Sequence, residues 1–226
     1  MRSLLETTEN TRDLGGFLRK NGEKTRTFQL LRSDEPAHPS EADFRFLLSR
    51  GITTVIDLRE KAAVNRQENP FANRTGFSWR HCPIQEGSGI PACVEAVPES
   101  YLQIAESSGA AEAFREMGAA PGGVLFHCSA GKDRTGTLSA IMLTLAEVPE
   151  ETIVQDYLLT GVCIRGRQEL LFQRFPELDR NIVITQPRHI RGFLKLWREK
   201  YGTVENYLQA IGLTNDQIEK LRRKLC

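Results

Sequence analysis

The sequence is short of the features that mark several specialised classes of protein. Its longest apolar stretch, around residues 139–148, is far shorter than a membrane span, and the N-terminus lacks the apolar core of a signal peptide. No internal repeat or low-complexity tract is present. The five cysteines form neither a CxxC pair nor a regular disulfide spacing. We therefore expect a soluble, cytoplasmic chain with reduced thiols and no transmembrane segment; export to act on a host cell stays open.

The balance of charge excludes a second group of functions. The 30 basic and 29 acidic residues give a formal net charge of +1, so the whole chain has no attraction for nucleic acid or an anionic membrane, and any anion site must be local. Of the basic residues, 22 are arginine, the side chain suited to bidentate contacts with oxyanions. A length of 226 residues with 40% hydrophobic content predicts one domain over residues 1–226. Nothing in the sequence indicates an oligomeric state.

Hydrophobic patterning indicates an α/β fold with a helical C-terminal part. Short apolar runs predict strands at 27–33, 52–58, 77–84 and 123–128. Helical spacing predicts helices at 40–49, 98–118, 133–146, 150–160, 165–175, 187–201 and 203–224, the last broken near Gly212. Candidate loops cover 73–76, 85–92 and 120–123. The alternation of strands and helices in the first half predicts a small, mostly parallel central sheet flanked by helices.

The stretch LFHCSAGKDRTGTLSA, residues 125–140, forms the turn from a buried strand into a helix. Such a turn directs backbone N–H groups at one point, where the helix dipole adds positive potential, so it suits a tetrahedral oxyanion. The same field lowers the pKa of a cysteine, which makes Cys128 a candidate nucleophile. Arg134, six positions later, can hold two phosphate oxygens with its planar guanidinium. Gly131 lets the backbone turn closely around the ligand, and Gly136 permits tight packing at the helix start.

The segment HCSAGKDRTG resembles the phosphate loop of the bacterial tyrosine phosphatases, which reads HCxxGKDRTG. Some members of that family also hydrolyse phosphoserine, phosphothreonine and phosphoinositides. NTRDLGGF at 10–17, LLRSDEP, TVIDLRE and the C-terminal segment from YGTVENY onward resemble further family motifs. The departures are Thr11, where Phe is usual, and a short segment between 160 and 190, where some members carry a helical lid.

The resemblance implies a cysteine-phosphatase-like fold and a tyrosine phosphatase that works through a phosphocysteine intermediate. Cys128 would attack phosphorus, while Arg134 and the loop amides would hold the phosphoryl oxygens. The substrate-binding loop residues would be Ser129, Ala130, Gly131, Lys132 and Thr135. Thr135 would donate a hydrogen bond to the Cys128 sulfur, or cap the helix. Substrates would be phosphorylated proteins or phosphoinositides, inorganic phosphate would occupy the site, and no cofactor or metal is expected.

Three carboxylates are candidates for the general acid. Asp133 lies inside the loop beside the bound phosphate and ranks first. Asp57 ends a predicted strand and ranks second, and Glu86 lies on a glycine-bearing loop and ranks third. A structural ion pair is the alternative role of each. Lys132 adds a charge that phosphotyrosine does not require, which favours polyanionic substrates such as phosphoinositides.

Other conspicuous residues are interpreted as support for the loop. Arg12 and Asp13, with Gly15 and Gly16, are expected to build a turn that braces it, and His127 precedes it directly. Two roles stay open for both Arg32 and Arg59: an ion pair behind the site, or a direct contact with the anion. A zinc site at His81-Cys82 and His127-Cys128 is disfavoured, because no four-ligand spacing exists.

Two other functions stay open at this point. A degenerate phosphatase would bind phosphorylated ligands without turnover, but the intact Cys128, Arg134 and Asp133 favour an enzyme. A thiol redox or arsenate-reducing enzyme would need a resolving cysteine, for which Cys82 and Cys163 are the candidates.

Overall fold

A five-stranded sheet is the centre of the computed structural model, which describes residues 2–87 and 89–226. Its strands are β1 (Arg12–Asp13), β2 (Leu30–Ser33), β3 (Ile52–Asp57), β4 (Ser78–His81) and β5 (Gly123–His127). Their order is β1-β2-β5-β3-β4; β1 is antiparallel to β2, and the other three pairings are parallel. The predicted α/β class and mostly parallel sheet are confirmed.

Eleven α-helices are described in these two ranges. In the first half they are α1 (Glu41–Ser49), α2 (Lys61–Arg66), α3 (Val97–Glu106) and α4 (Ser108–Ala119). In the second half they are α5 (Asp133–Leu145), α6 (Glu150–Cys163), α7 (Arg165–Arg174), α8 (Arg180–Val183), α9 (Pro187–Tyr201), α10 (Val204–Ala210) and α11 (Asn215–Arg222). None of these helices combines the length and the apolar character that a bilayer-spanning helix needs.

The helix predicted at 98–118 is wrong as a single element. Ser107 has an extended backbone, with φ −68° and ψ 150°, and its side chain caps α4 by accepting from the Ala110 N–H. Helix α3 therefore ends before it and α4 begins after it. The predicted break near Gly212 is present between α10 and α11, where this glycine has φ +89°. Sequence patterning missed β1, α2 and α8, each too short to show a period.

The sheet alternates its side chains between two buried layers, as a period of two requires. In β5, Val124 and Phe126 pack with the larger cluster beneath the later helices, whereas Leu125 packs with the smaller cluster beside α1. Cys128 continues the first set and faces the same layer as Phe126. The parallel register aligns Ser33, Asp57 and His127 at one edge. Residues following these strand ends therefore meet at the carboxyl edge of the sheet.

Two expectations about smaller features can be compared with this fold. Loops are found at 73–76 and over the described part of 85–92; Ser88 lies outside the described residues, as does Met1. Thr11, where the family usually carries Phe, is buried, and its hydroxyl lies 2.6 Å from those of Thr8 and Ser33. These three hydroxyls therefore form a buried hydrogen-bonded cluster.

Candidate active site

The segment that the sequence predicts to bind phosphate, called the phosphate loop below, runs from Cys128 to Lys132 between the end of β5 and the start of α5. Cys128 is 3% exposed. Gly131 has φ +67°, and a Cβ at this position would lie 2.6 Å from the Ser33 carbonyl oxygen and 2.7 Å from Asn10 Nδ2. Glycine is therefore required here both for the backbone conformation and for the close approach.

The carbonyl groups of this loop all accept hydrogen bonds from its surroundings. Cys128 O lies 3.1 Å from His127 Nδ1, and Ser129 O accepts from the Glu35 N–H at 3.1 Å. Asn10 Nδ2 donates to Ala130 O at 3.2 Å and Arg32 Nη2 donates to Gly131 O at 2.7 Å. Lys132 O accepts from the Gly136 N–H at 2.9 Å.

The N–H groups of the same loop have no such partners. Within residues 2–87 and 89–226, those of Ser129, Ala130, Gly131 and Lys132 donate no hydrogen bond to the protein. Because the carbonyls are held outward, these donors are available to an anion inside the turn. Helix α5 begins immediately afterwards and adds the positive end of its dipole.

A buried ion-pair cluster lies behind the loop, and we call it the inner brace: Asn10, Arg12, Arg32, Asp156 and Thr160. Arg12 Nε donates to Asp156 Oδ1 at 2.7 Å and Arg32 Nη1 donates to Oδ2 at 2.5 Å. Arg12 also contacts Asn10, whose amide reaches the loop. Two guanidinium groups on one carboxylate leave an excess positive charge behind Cys128, which favours a bound phosphate.

The pKa values in the brace follow from burial and charge. Burial, with the neighbouring Arg12, lowers the pKa of Arg32 to about 10, so this guanidinium stays charged at neutral pH. Burial opposes the ionised form of Asp156, but Arg32 and Arg12 outweigh it and lower the pKa of that carboxyl below its usual value. Arg32 is therefore an ion-pair residue that holds the loop, one of the two roles expected for it.

A second buried network supports the other side of the loop. Arg59 Nη2 donates to Asp57 Oδ2 at 2.7 Å, and its Nη1 pairs with Glu35. Asn69 Nδ2 lies 2.9 Å from both Asp57 Oδ2 and His127 Nε2. One amide hydrogen of Asn69 is therefore directed at each of these two partners, and the other ring nitrogen of His127, Nδ1, lies against Cys128 O. The supporting roles of Asp57, Arg59 and His127 thus have a geometric basis.

The three acid candidates are in different surroundings. Burial opposes ionisation of Asp57, but His127 and the hydrogen bonds from Arg59 and Asn69 hold its pKa well below the usual range. Both its oxygens are occupied, and it does not line the cavity beside the loop. Glu86 is exposed, accepts from the Gln85 N–H, and is also absent from that lining. Asp133 lines the cavity with a side chain that is 41% exposed.

This cavity has a volume of about 320 Å³ and borders Ala130, Lys132 and Asp133. Its other walls come from the loop after β4, from α3, and from the segment around α7 and α8. The apolar lining consists of Ile90, Pro91, Val97, Ile164, Leu171, Ile182 and Val183. The short segment between 160 and 190 therefore forms one wall of the cavity.

The expectations for two residues need correction. The Thr135 hydroxyl is buried and has no partner among the described residues, so it neither bonds the Cys128 sulfur nor caps α5, whose N-cap position is Lys132. The Asp13 carboxylate binds the N–H groups of Gly15 and Phe28 rather than the phosphate loop. It therefore holds together the two ends of the segment between β1 and β2.

Lys132 lines the cavity, and its charged group already has partners there. Its Nζ donates to the Ile182 carbonyl at 3.1 Å and pairs with Asp133 Oδ1 at 3.0 Å, and its side chain is 8% exposed. The charge is therefore already engaged beside the acid candidate. Arg134 is half-buried, and its Nη1 lies 3.4 Å from the Leu58 carbonyl.

The zinc and redox alternatives gain no support from the geometry. No three His, Cys, Asp or Glu side chains gather as metal ligands in the described part of the chain. His81 Nε2 lies 2.8 Å from the Arg59 carbonyl. Burial, with Glu112 and Glu116, raises the pKa of Cys82 to about 12, which makes this thiol a poor resolving nucleophile.

Sequence reasoning missed most of the residues that hold the loop. Asn10, Asn69, Asp156, Thr160 and Arg167 contact it directly or through one partner. One signal was available for Asp156, which lies in α6 among the buried residues Ile153, Val154 and Tyr157. A carboxylate on a buried face requires a cationic partner.

Comparison with known proteins identifies the family. A sequence model of the tyrosine phosphatase family matches residues 4–226. A Cupriavidus necator protein assigned to the tyrosine-protein phosphatases is 34% identical, over 90% of this chain and 81% of its own. The chain belongs to the tyrosine phosphatase family and is accordingly an enzyme of the cysteine-based class.

Other relatives are more distant. A tyrosine-protein phosphatase of Nostoc commune is 27% identical, over 82% of this chain and 70% of its own. The triple specificity protein phosphatase PtpB of Mycobacterium tuberculosis is 28% identical, over 86% of this chain and 89% of its own. The crystal structure of P. aeruginosa TpbA in complex with pTyr is similar with a TM-score of 0.43 at 14% identity, over 82% of this chain and 87% of that one.

Proposed function

We propose that this chain is a phosphotyrosine phosphatase that works through a phosphocysteine on Cys128. The observation that carries the proposal is the phosphate loop itself. Its carbonyls are all held outward, and the N–H groups of Ser129, Ala130, Gly131 and Lys132 stay available to an oxyanion. A phosphate in this turn would lie in contact with the thiol at its start.

In the first step the Cys128 thiolate attacks phosphorus, and the bond from phosphorus to the ester oxygen breaks. The loop amides and Arg134 hold the non-bridging oxygens as charge develops on them. Asp133 gives its proton to the departing oxygen. In the second step water attacks phosphorus, Asp133 takes a proton from that water, and the thiolate leaves.

Asp133 is the proposed acid because it alone of the three candidates lines the cavity in which the leaving group would lie. Burial opposes its ionised form, but Lys132, Tyr101 and Arg134 lower its pKa below the usual value. The negative charge of a bound phosphate would act in the opposite direction and favour the proton. The apolar walls beside it suit an aromatic leaving group.

The covalent step is tested by quenching the enzyme in acid during turnover and searching Cys128 peptides for one added phosphoryl group. We expect the adduct in wild type and none in Cys128→Ser, whose turnover should fall on the order of 10³-fold or more. Cys93→Ser is the matched control, since Cys93 is exposed and distant from the loop in sequence. Wild-type turnover in Cys128→Ser would overturn the mechanism.

Phosphoinositides are a second proposed substrate class, based on the Lys132 charge at the cavity. Because Lys132 Nζ already contacts Ile182 O and Asp133, a second phosphate would have to compete for it. Lys132→Gln should then reduce phosphoinositide hydrolysis more than phosphotyrosine hydrolysis, by roughly fivefold to tenfold. Equal losses on both substrates would assign Lys132 to the loop alone.

A further inference from the structure

A chain of buried hydroxyl groups runs from Asp133 into the helical layer. Tyr101 OH donates to Asp133 Oδ1 at 2.7 Å, and the hydroxyl of Tyr157 lies 2.7 Å from that of Tyr101. His189 Nδ1 lies 3.4 Å from the Tyr157 hydroxyl. These side chains come from α3, α6 and α9, and all three are at most 1% exposed. Neither the loop motif nor the inner brace accounts for them.

The distances fix the direction of this chain. Tyr101 has one hydroxyl hydrogen, which it gives to Asp133, so the oxygen of Tyr101 accepts the hydrogen of Tyr157. The oxygen of Tyr157 can then accept from His189 Nδ1. Both tyrosine hydroxyls therefore point toward Asp133, an arrangement in which each bond polarises the next.

The protonation states agree with this direction. Burial and the adjacent Asp133 raise the pKa of both Tyr101 and Tyr157, so both hydroxyls keep their hydrogens. Burial, with the charges of Lys132 and Arg188, lowers the pKa of His189 to about 4. The imidazole is therefore neutral at working pH and has one N–H to give.

The two oxygens of Asp133 are consequently unlike. Oδ1 accepts from Tyr101 and is paired with Lys132, whereas Oδ2 has no donor among the described residues. The groups that face this carboxyl are Lys132 and Arg134 beside it and Tyr101 from α3, with Tyr157 and His189 behind, while Arg167 lines the same cavity. Two donors on Oδ1 disfavour a proton there.

We propose that Tyr101 is a positioning residue that, supported by Tyr157, fixes Asp133 by its Oδ1 so that Oδ2 carries the proton given to the leaving group. This inference rests on the proposed function, in which Asp133 is the general acid. The hydrogen bond orients the carboxyl, and because it favours the carboxylate, it also sets the pH at which the acid form is lost.

The test is Tyr101→Phe, which removes one hydroxyl and keeps the ring that packs on Tyr157 and Phe193. On a phosphotyrosyl peptide, kcat should fall about tenfold, and the alkaline limb of its pH profile should move up by about one unit, since Asp133 loses a donor to its ionised form. On a nitrophenyl phosphate, kcat should change less than about twofold. Tyr157→Phe should move the limb the same way by a smaller amount.

Tyr207→Phe is the matched control. Tyr207 is also fully buried, and its hydroxyl donates to the Ala105 carbonyl at 2.6 Å without any link to Asp133. This variant should keep the wild-type pH limb. If Tyr101→Phe lost activity equally on both substrates with an unmoved limb, the role of the hydroxyl would be structural and the inference would be wrong. Should Tyr101→Phe not fold, an unmoved limb in Tyr157→Phe would overturn it equally.

Asp133→Asn, measured beside these variants, separates the two proposals. If it shows no greater loss for basic leaving groups, the general acid is not Asp133 and both proposals fall. If it shows that loss while Tyr101→Phe keeps the alkaline limb of the wild-type pH profile, Asp133 remains the general acid and only the positioning role of Tyr101 is wrong. Leaving-group dependence in both variants, with a shifted limb in Tyr101→Phe, supports the inference.

Discussion

The two sides of the phosphate loop differ in how far their side chains are exposed to solvent. Behind it, the inner brace places Arg12, Arg32 and Asp156 at 4% exposure or less. In front of it, the cavity wall formed by α7, α8 and the loop after β4 includes Arg167, whose side chain is 42% exposed, and Ile90, which is 66% exposed. The brace holds the backbone of the loop, whereas the wall can contact the leaving group.

This difference predicts where the loss of an ion pair lowers the stability of the protein most. A buried charge that loses its partner costs several kcal/mol, because neither water nor another group replaces the lost contact. A half-exposed ion pair contributes little, since water screens it. Changes behind the loop should therefore affect both stability and turnover, and changes in front should affect mainly substrate binding.

The largest effect is expected from Asp156→Ala, which leaves two buried guanidinium groups without their carboxylate. The free energy of unfolding should fall by about 3–5 kcal/mol, and turnover should fall with it because Arg32 no longer holds Gly131 O in place. Urea unfolding measures the first and an aryl phosphate assay the second. Asp216→Ala is the control, because its pair with Lys220 is exposed, and it should cost under about 0.5 kcal/mol. Comparable losses in both variants would contradict the contrast.

The second effect is expected from Gly131→Ala. A Cβ here would collide with the Ser33 carbonyl and with Asn10, in addition to the strain of φ +67°, so we expect a loss of about 1–3 kcal/mol and at least tenfold in turnover. Gly22→Ala is a matched control, since Gly22 has φ +87° but open space around its position. It should show the strain alone and wild-type turnover. Equal turnover in the two variants would mean that a side chain at position 131 does not disturb the loop geometry, contrary to this prediction.

The third prediction concerns acid pH. The pKa values of Asp156 and Asp57 are lowered in the folded state, so their contribution to stability is present above the unfolded value of about 4 and is lost as pH falls below it. Each unit of depression is worth about 1.4 kcal/mol. Unfolding free energies measured between pH 7 and 3 should decline toward acid, and less steeply in Asp156→Ala than in wild type. A pH-independent wild type would contradict the ionic brace.

The smallest effect is expected from Arg167→Ala, in front of the loop. Arg167 pairs with Asp34 at 3.1 Å and reaches Ser129 O at 3.3 Å, but it is solvent-screened. Stability should change by less than about 1 kcal/mol, and KM for a phosphotyrosyl peptide should rise about threefold with kcat nearly unchanged. Steady-state kinetics and thermal unfolding measure both. A loss of stability as large as that of Asp156→Ala would contradict the proposed difference between the two sides of the loop.

Much of the sheet could be predicted from sequence, and the failures have physical reasons. The strands β2, β3 and β5 are buried apolar runs bounded by polar residues, so periodicity and composition suffice for them. The split between α3 and α4 at Ser107 was not predicted, because serine is tolerated inside helices and its capping role depends on the backbone that it meets. The two residues of β1 are a strand only because β2 pairs with them.

The candidate site divides in the same way. Cys128, Gly131, Arg134 and Asp133 are close in sequence, so their spacing and residue types indicate an anion-binding turn with a thiol at its start. The same local reasoning predicts a hydrogen bond from Thr135, yet its hydroxyl has no hydrogen-bond partner among the described residues. Proximity along the chain restricts the backbone, but a side-chain rotamer is selected by packing.

The sequence by itself determined the local residue pattern of this protein: a cysteine, an arginine and a glycine-bearing turn between a buried strand and a helix, within one family of enzymes. Tertiary structure alone decided what surrounds that turn. Asp156 lies 124 residues from Arg32, and Tyr101 lies 32 residues from Asp133, yet each pair is in hydrogen-bonding contact. Such contacts follow from the packing of α3 and α6 against α5, and a buried polar group takes whichever partner the fold provides, because leaving it without one costs more than any local preference gains.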